Sequence, residues 1–348
     1  MNETLYLDHA ATAPLLPVAR EALLHGFSLW ANPSSPHAPG RAARAALEDA
    51  RARLGDALGW SGEIVFTSGA SEALAIALSR ASLPVAAVSA VEHDAVLRHV
   101  DGVLRLPVDA LGGVDPADAA LPGLVAVQQV NSETGVIQPL DKIAPRVRGA
   151  GGLLLADCAQ GAGKIALPDA DLIALAAHKF GGPVGIGALL VRDWAVLKPV
   201  GGQERGYRSG TENLPGALAM VAALEQGAGW IAEAARLRRF LEDGLEAAGG
   251  EIIAKDADRL PTVGAYRMPG VAAAVQLIRF DAMGVAVSAG SACSSGSLRT
   301  SHVLGAMGMT DGPAAEVIRV SIGRETTERD ISRFLDAWSS LAGKRVAA

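Results

Sequence analysis

The feature that most constrains the fold is a series of six short apolar runs between residues 63 and 193. Each run is dominated by Val, Leu, Ile and Ala without polar alternation, which is typical of strands buried on both faces. Most are separated by enough residues for a helix, so we predict a mostly parallel sheet covered by helices. The last two lie too close for a helical crossover, and we predict an antiparallel pair. The runs are "EIVFTSG", "PVAAVSAVEH", "GLVAVQQVN", "GLLLADCAQ", "DLIALAAHK" and "GIGALLVRD".

The rest of the chain predicts helices and a second, smaller unit. Residues 41–58 have the apolar spacing of an amphipathic helix, and residues 215–248 are rich in helix-forming residues. After them the sequence changes to short strands and a last helix that begins with a capping box at Thr327 and Asp330. Because 348 residues exceed what one core usually supports, we predict a large α/β domain (14–235) and a small α+β domain (1–13 and 236–348).

Composition excludes several classes of function. A net charge of −6 and a pI near 5.7 argue against binding to nucleic acid or to an anionic membrane surface. No signal peptide or membrane-spanning stretch is evident, so we expect a soluble, cytoplasmic protein. With two cysteines, neither of which has a second ligand at zinc-site spacing, we predict neither a disulfide framework nor a metal site.

Polar side chains follow the apolar runs at the points where the predicted strands end. In open α/β sheets, ligands bind beyond the carboxyl ends of the strands, so one crevice would collect these residues. Any one of them alone could be an ordinary side chain that is exposed or hydrogen-bonded to a loop, so the prediction of a ligand site rests on the whole set. The residues are Ser68, Gly69, Ser71, His93, Asn131, Asp157, Gln160, His178 and Lys179.

This set predicts a site for pyridoxal 5′-phosphate. The cofactor needs a lysine for its Schiff base, a carboxylate at the pyridine nitrogen, a stacking ring and an anion site. Lys179, Asp157 and His93 supply the first three, and the small-residue turn that opens a helix at Ser71 supplies the fourth. "CAQGAGKI" is not a P-loop, because Cys158 stands where that motif needs its first glycine and Ile165 where it needs serine or threonine.

The motifs resemble those of cysteine desulfurases, fold type I enzymes of the class V aminotransferase family. The resemblance covers nearly the whole chain and is strongest to the NifS/IscS-like branch. The motifs, in order, are "YLDHAATAP", "NPSSPHAPG", "FTSGASEA", "VEHDAV", "VNSETGVIQP", "DCAQGAGK", "HKFGGPVGIGAL", "GGQERGYRSGTEN", "GSACSSGSL" and "IRVSIGRETTERDI".

The resemblance implies a role for each candidate residue. Lys179 would bind the cofactor and move the substrate's α-proton. The other implied cofactor ligands are His93 on the ring, Asp157 at the ring nitrogen, Gln160 at the phenolic oxygen, and Ala70, Ser71 and His178 at the phosphate. Thr211 would reach the phosphate of a partner subunit, which implies a homodimer. Arg319, helped by Asn131, would bind the substrate carboxylate. Ala176 departs from relatives, which commonly have a serine there that donates to the phosphate.

The implied reaction converts L-cysteine to L-alanine and leaves the sulfur on Cys293 as a persulfide. Cys293 lies in "SAGSACSSGS", where small residues permit many backbone conformations, as a sulfur carrier requires. The sulfur would pass to an acceptor protein, either an iron–sulfur scaffold or a tRNA-thiolation enzyme. Cys158, directly after Asp157, is interpreted as a core residue.

Two alternatives remain open at this point. The chain could be another class V enzyme, an aminotransferase or a lyase for a different sulfur or selenium amino acid, in which Cys293 is dispensable. It could also be a non-catalytic interaction protein that keeps the fold, for which Ala176 is the only hint.

Overall fold

A computed structural model describes residues 4–290 and 301–343. The strands in these ranges are β1 (Leu5–Tyr6), β2 (Glu63–Thr67), β3 (Val85–Ser89), β4 (Leu104–Leu106), β5 (Leu124–Ala126), β6 (Leu153–Asp157), β7 (Leu172–Ala176), β8 (Gly187–Val191), β9 (Glu251–Ile252), β10 (Val263–Arg267), β11 (Val285–Ala286) and β12 (Val317–Ser321). The helices are α1 (Pro17–Ser28), α2 (Ala38–Leu58), α3 (Ala70–Arg80), α4 (Asp94–Leu97), α5 (Leu140–Gly149), α6 (Leu214–Leu224), α7 (Ile231–Ala247), α8 (Ala273–Ala282), α9 (His302–Ala306), α10 (Asp311–Ala314) and α11 (Glu328–Gly343).

Seven of the described strands form a central sheet in the order β2-β8-β7-β6-β5-β3-β4. Strands β3 to β7 pair in parallel, and β8 pairs antiparallel with both β7 and β2. The predicted mostly parallel sheet and its antiparallel pair are therefore confirmed. Because β8 runs opposite to each of its neighbours, β2 points the same way as β7. The carboxyl ends of β2 and of β3 to β7 consequently share one edge.

Helices cover both faces of this sheet. Alternate residues of each strand belong to different clusters: Leu154 packs with α2, α5 and α6, and its neighbour Leu155 packs with α3 and α4. This two-sided burial explains why the runs lack polar alternation. Within the described ranges, no helix is long and apolar enough to cross a bilayer.

A separate hydrophobic cluster surrounds the smaller antiparallel sheet β12-β10-β9. Phe280, Phe334 and Trp338 are fully buried there, and both ends of the chain contribute, with Leu5 at one end and Leu341 at the other. Strand β1 pairs in parallel with β11, which ties the N-terminal residues to this cluster. The domain boundaries at residues 13/14 and 235/236 stay a prediction.

Local capping explains where the predicted helices begin. Helix α2 starts three residues before the predicted Arg41 because the His37 Nδ1 atom accepts a hydrogen bond from the Gly40 amide (3.2 Å). It ends at Leu58 and is followed by Gly59, whose φ of +63° suits glycine. The capping box before α11 is confirmed: the Thr327 amide donates to Asp330 Oδ2 (2.8 Å), and the Asp330 amide donates to Thr327 Oγ1 (3.3 Å).

Candidate active site

A cavity of about 500 Å³ lies at the shared carboxyl edge of the central sheet. Its volume falls within the range of roughly 300 to 1,000 Å³ that is typical of small-molecule sites. Residues that follow five different strands (β2, β3, β5, β6 and β7) line it, so the sheet topology brings together residues that lie far apart in the sequence. The predicted residues among its lining are Ala70, Ser71, His93, Asp157, Gln160, His178, Lys179 and Arg319.

Asp157 is the last residue of β6 and is buried. Its Oδ1 atom accepts a hydrogen bond from the Ala159 amide (2.9 Å). Burial raises the pKa of its carboxyl, and the Ala159 amide, His93 and Lys179 lower it only in part. A cationic N–H group placed in the cavity would favour the carboxylate, as a protonated pyridine nitrogen does.

Lys179 ends a short 3₁₀ turn (Ala177–Lys179) that directly follows β7. Its Nζ atom donates to the carbonyl oxygens of Ala10 (2.7 Å) and Ala11 (2.9 Å), both in the N-terminal segment. These contacts hold the amine in the cavity beside the end of β6. The position fits a lysine that attaches a cofactor carbonyl.

His93 and His178 flank the cavity from different strand ends. The Nδ1 atom of His93 accepts a hydrogen bond from the Ala95 amide (3.0 Å), so the proton of its neutral ring is on Nε2. Burial, then the charges of Lys179 and Lys164, lowers the pKa of His178 to about 4. His178 is therefore neutral at pH 7 and can still donate one hydrogen bond to an anion.

The predicted anion site is the turn that joins β2 to α3. Gly69 has a φ of +155°, which few other residues adopt, and helix α3 starts at Ala70 without a side-chain cap. The first amides of the helix are therefore available to an anion. Ala176, where the family resemblance leads us to expect a serine, is buried at the end of β7 and also lines the cavity.

The hydrogen bonds of Gln160 indicate whether the cavity suits a polar ligand. Its Nε2 atom donates to the Ala10 carbonyl oxygen (2.9 Å), whereas its Oε1 atom is buried without a hydrogen-bond partner among the described residues. A buried amide oxygen without a donor is unfavourable. A polar ligand in this cavity would remove that cost, which agrees with the predicted contact to the cofactor.

Arg319 lies on β12 and reaches the cavity with its guanidinium mostly buried. It donates to Asp8 Oδ1 (2.7 Å) and to the Ser132 carbonyl oxygen (3.0 Å), while its Nε atom has no partner in the described part of the chain. The guanidinium therefore has one N–H donor left for a further acceptor, such as a carboxylate oxygen. Sequence reasoning missed Asp8, although "YLDHAATAP" contains it.

Asn131 does not line the cavity in this structure. Its amide nitrogen donates to the Val91 carbonyl oxygen (3.2 Å), and its Oδ1 atom accepts from the amides of Glu133 (3.0 Å) and Thr134 (2.9 Å). These bonds order the turn that presents the Ser132 carbonyl to Arg319. The predicted contact between Asn131 and substrate stays a prediction.

The two remaining predicted residues are not part of this cavity as described. Thr211 is exposed and does not line it, and Cys293 lies outside the described residues. Cys158 is fully buried, and burial raises the pKa of its thiol well above the usual value, so it is a poor nucleophile.

Glu92 and His302 are two lining residues that sequence reasoning did not single out. The Glu92 Oε1 atom accepts from the Gln128 amide (2.7 Å), and burial followed by the charge of Asp157 raises the pKa of Glu92 well above 4.5. A ring nitrogen of His302 lies 2.9 Å from the Glu92 carbonyl oxygen. "VEHDAV" contained Glu92, but nothing in the pattern showed that it is buried.

Comparisons with known proteins agree on one family. The sequence profile described as "Aminotransferase class-V" matches residues 5–334. A cysteine desulfurase of Cereibacter sphaeroides is 36% identical over 96% of this chain and 94% of its own length. A cysteine desulfurase IscS of Dictyoglomus turgidum is 33% identical over 99% of this chain and 96% of its own length.

Solved structures give the same result. A NifS-like protein from Rickettsia africae superposes with a TM-score of 0.90 at 28% identity, covering 97% of this chain and 99% of that protein. A structure described as SspA in complex with cysteine superposes with a TM-score of 0.79, also at 28% identity, and covers 92% of this chain and 99% of that protein. The fold is that of the NifS-like fold type I proteins.

Proposed function

The chain belongs to the class V aminotransferase family and matches cysteine desulfurases over nearly its whole length, and we propose that it converts L-cysteine to L-alanine and transfers the sulfur to Cys293. The observation that carries the proposal is the meeting of Lys179, Asp157 and Gln160 in one cavity with Arg319. An amine, a buried carboxyl, a buried amide and a guanidinium match the parts of a pyridoxal phosphate enzyme for an α-amino acid.

Different residues of the chain would bind different parts of pyridoxal 5′-phosphate. When bound, the cofactor withdraws electrons from the α-carbon of the substrate. Asp157 would keep the ring nitrogen protonated, and Lys179 would hold the cofactor and move the α-proton. His93 would stack on the ring and Gln160 would bind the phenolic oxygen. The phosphate would be held by the α3 amides at Ala70 and Ser71 together with His178.

Substrate binding would use the carboxylate of L-cysteine. Arg319 now pairs with Asp8 at 2.7 Å and keeps a free Nε–H. An incoming carboxylate would use that donor and displace the Asp8 contact in part, with Asn131 helping through the turn it orders. Because a planar guanidinium forms two parallel bonds to a carboxylate, Arg319 would also fix the orientation of the substrate.

Cys293 can reach the cavity by chain length alone. Gly290, three residues earlier, lines it, and three extended residues span at most about 11 Å. The Cys293 thiolate would form an S–S bond to the substrate sulfur while the substrate's C–S bond breaks. The electron pair of the broken bond stays with the carbon fragment, which takes up protons and leaves as L-alanine. The reaction needs no external oxidant.

The assembly and the partners belong to the same proposal. Thr211 is exposed and lies away from its own cavity, which agrees with a contact to the phosphate in a second copy of the chain and hence with a homodimer. The persulfide would pass to a cytoplasmic acceptor protein, an iron–sulfur scaffold or a tRNA-thiolation enzyme.

The test combines alanine formation with the mass of the Cys293 peptide. Protein loaded with pyridoxal phosphate is incubated with L-cysteine, and we expect L-alanine together with a gain of one sulfur on that peptide. Cys293→Ala should abolish persulfide formation, whereas the matched variant Cys158→Ala should retain it. Unchanged turnover in Cys293→Ala would support another class V activity, and failure to bind the cofactor would support a non-catalytic protein.

A further inference from the structure

A second cavity, of about 180 Å³, lies next to the first. Lys179 and Ala10 line both cavities, but the smaller one is also lined by α6, by Thr262 and by the segment after β12, which do not line the larger one. Apart from Lys179, no residue assigned to cofactor or substrate binding lines the smaller cavity. Its apolar walls include Leu16, Phe180, Leu224 and Ile322.

Lys164 is a buried amine on this cavity, and it has no carboxylate partner among the described residues. Only 8% of the residue is exposed. Its Nζ atom donates to the Gln160 carbonyl oxygen (3.0 Å), and it forms no ion pair within the described ranges. Burial, then the charge of Lys179, lowers its pKa to about 7. An ammonium has three N–H donors, so at least one is available to a ligand.

Thr262 adds a second unsatisfied polar group to the same wall. It is 2% exposed, and its Oγ1 atom is buried without a hydrogen-bond partner among the described residues. A buried hydroxyl without a partner is costly. Two polar groups with free hydrogen-bonding capacity on one small cavity indicate that the cavity receives a polar ligand group.

The charged residues around the cavity indicate whether the ligand group is an anion or a cation. Lys164, Lys179 and Arg324 line it, and Glu325 is the only carboxylate among its described lining residues. The Arg324 guanidinium lies 5.5 Å from the centre of the Trp230 ring, and both residues line the cavity. The excess of cations favours an anion, and the apolar walls favour a short hydrocarbon chain.

We propose that this cavity binds a small monocarboxylate with a short alkyl chain, whose carboxylate accepts hydrogen bonds from Lys164 and Thr262. An α-amino acid fits poorly, because Arg324 and the protonated form of Lys164 would repel its ammonium group. The site is therefore distinct from the one proposed for L-cysteine, and it does not depend on the proposed reaction. The occupant would place a negative charge beside Lys179, which connects the small cavity to the larger one.

The test is a calorimetric titration of the cofactor-loaded protein with butanoate, with butylamine as the control of opposite charge. We expect butanoate to bind at one site and butylamine not to bind. Lys164→Met should weaken butanoate about tenfold or more, and Thr262→Val about threefold to tenfold, because each loses a hydrogen bond to the carboxylate. Lys198→Met removes an exposed lysine and should change nothing.

Proton uptake supplies an independent readout. Because a bound carboxylate favours the protonated form of Lys164, binding at about pH 7.5 should take up protons, detected as a dependence of the heat on the buffer's ionisation enthalpy. The other titratable groups around Lys164 are His9, His178, Lys179, Arg324 and Glu325. Proton uptake that persists in Lys164→Met would come from one of those groups and would contradict the assignment.

Two results would overturn the proposal. The first is no butanoate binding to the wild-type protein. The second is that butanoate binds but is displaced by L-cysteine, and that its binding is abolished in Arg319→Lys and unchanged in Lys164→Met. The butanoate would then occupy the larger cavity. Thr262→Val provides a milder change if Lys164→Met fails to fold, which its cofactor absorbance and circular dichroism would reveal.

Discussion

A buried ion pair holds the loop that carries Thr211 against the large sheet, and its loss should be measurable as lost stability. Arg51 on α2 donates two hydrogen bonds to Glu204, at 2.7 and 3.0 Å. Glu204 Oε2 also accepts from the Phe66 amide (2.8 Å), and Arg51 donates to the Ile64 carbonyl oxygen (2.6 Å). Both side chains are buried, at 7% and 1% exposure.

Glu204→Gln keeps the shape of the side chain and removes its charge. Breaking one partner of a buried pair costs roughly 3–5 kcal/mol, because the other charge stays buried. Glu48 remains 3.2 Å from Arg51 Nε and compensates in part, so we expect a loss of about 3 kcal/mol in the free energy of unfolding. The matched control is Glu225→Gln, which breaks an equally close pair with Arg53 (2.7 and 2.9 Å) at the surface. There the expected loss is below about 1 kcal/mol.

Urea unfolding of the three proteins, followed by tryptophan fluorescence and circular dichroism, measures both losses. A double variant, Arg51→Met with Glu204→Leu, should recover part of the stability lost in Glu204→Gln, because no uncompensated charge remains. Equal losses for Glu204→Gln and Glu225→Gln would refute the reasoning, since burial would then make no difference.

Three further predictions concern the larger cavity and its neighbourhood. Ala176→Ser adds the hydroxyl that the family resemblance leads us to expect, and a spectroscopic titration should show about fivefold tighter cofactor binding, equivalent to about 1 kcal/mol. Unchanged affinity would mean that another donor already binds the phosphate. Folding raises the pKa of Glu92, so its contribution to the stability of the cofactor-free protein is complete below about pH 4.5 and is lost as pH rises through the raised value. Glu92→Gln does not titrate and should gain stability relative to the wild type as the pH rises above about 4.5. Urea midpoints of the two proteins that stay parallel over that rise would contradict this. Cys158 is buried with a raised thiol pKa, so iodoacetamide should leave it unmodified in the native protein and label it after denaturation; native labelling, read by mass spectrometry, would show that the strand end opens.

Much of the sheet and half of the site could be predicted from sequence, because both depend on local patterns. A run buried on both faces is recognisable without alignment, and the polar residue after it marks the functional edge. Asp157 and Lys179 were found in this way, and both line the larger cavity. The short link between β7 and β8 likewise predicted their antiparallel pairing, which is confirmed.

The remaining features depend on contacts that local patterns do not contain. Asp8 meets Arg319 across 311 residues of sequence, and no periodicity predicts that pairing. Lys164 ends a motif that fails as a P-loop, and an isolated lysine after glycine gives no sign of being buried. Helix α1 went unpredicted because Pro17 opens it without a capping side chain, leaving a weak start signal.

The N-terminal segment also affects how the protein is made. Its strand β1 pairs with β11, Asp8 and Ala10 contact Arg319 and Ser321, and the carbonyls of Ala10 and Ala11 hold the Lys179 amine. A ribosome adding about 5–20 residues per second needs roughly 15–60 s to go from residue 11 to residue 321. During synthesis the first strand therefore stays unpaired until β11 has been made, and the site around Lys179 is completed only after β12 has been made.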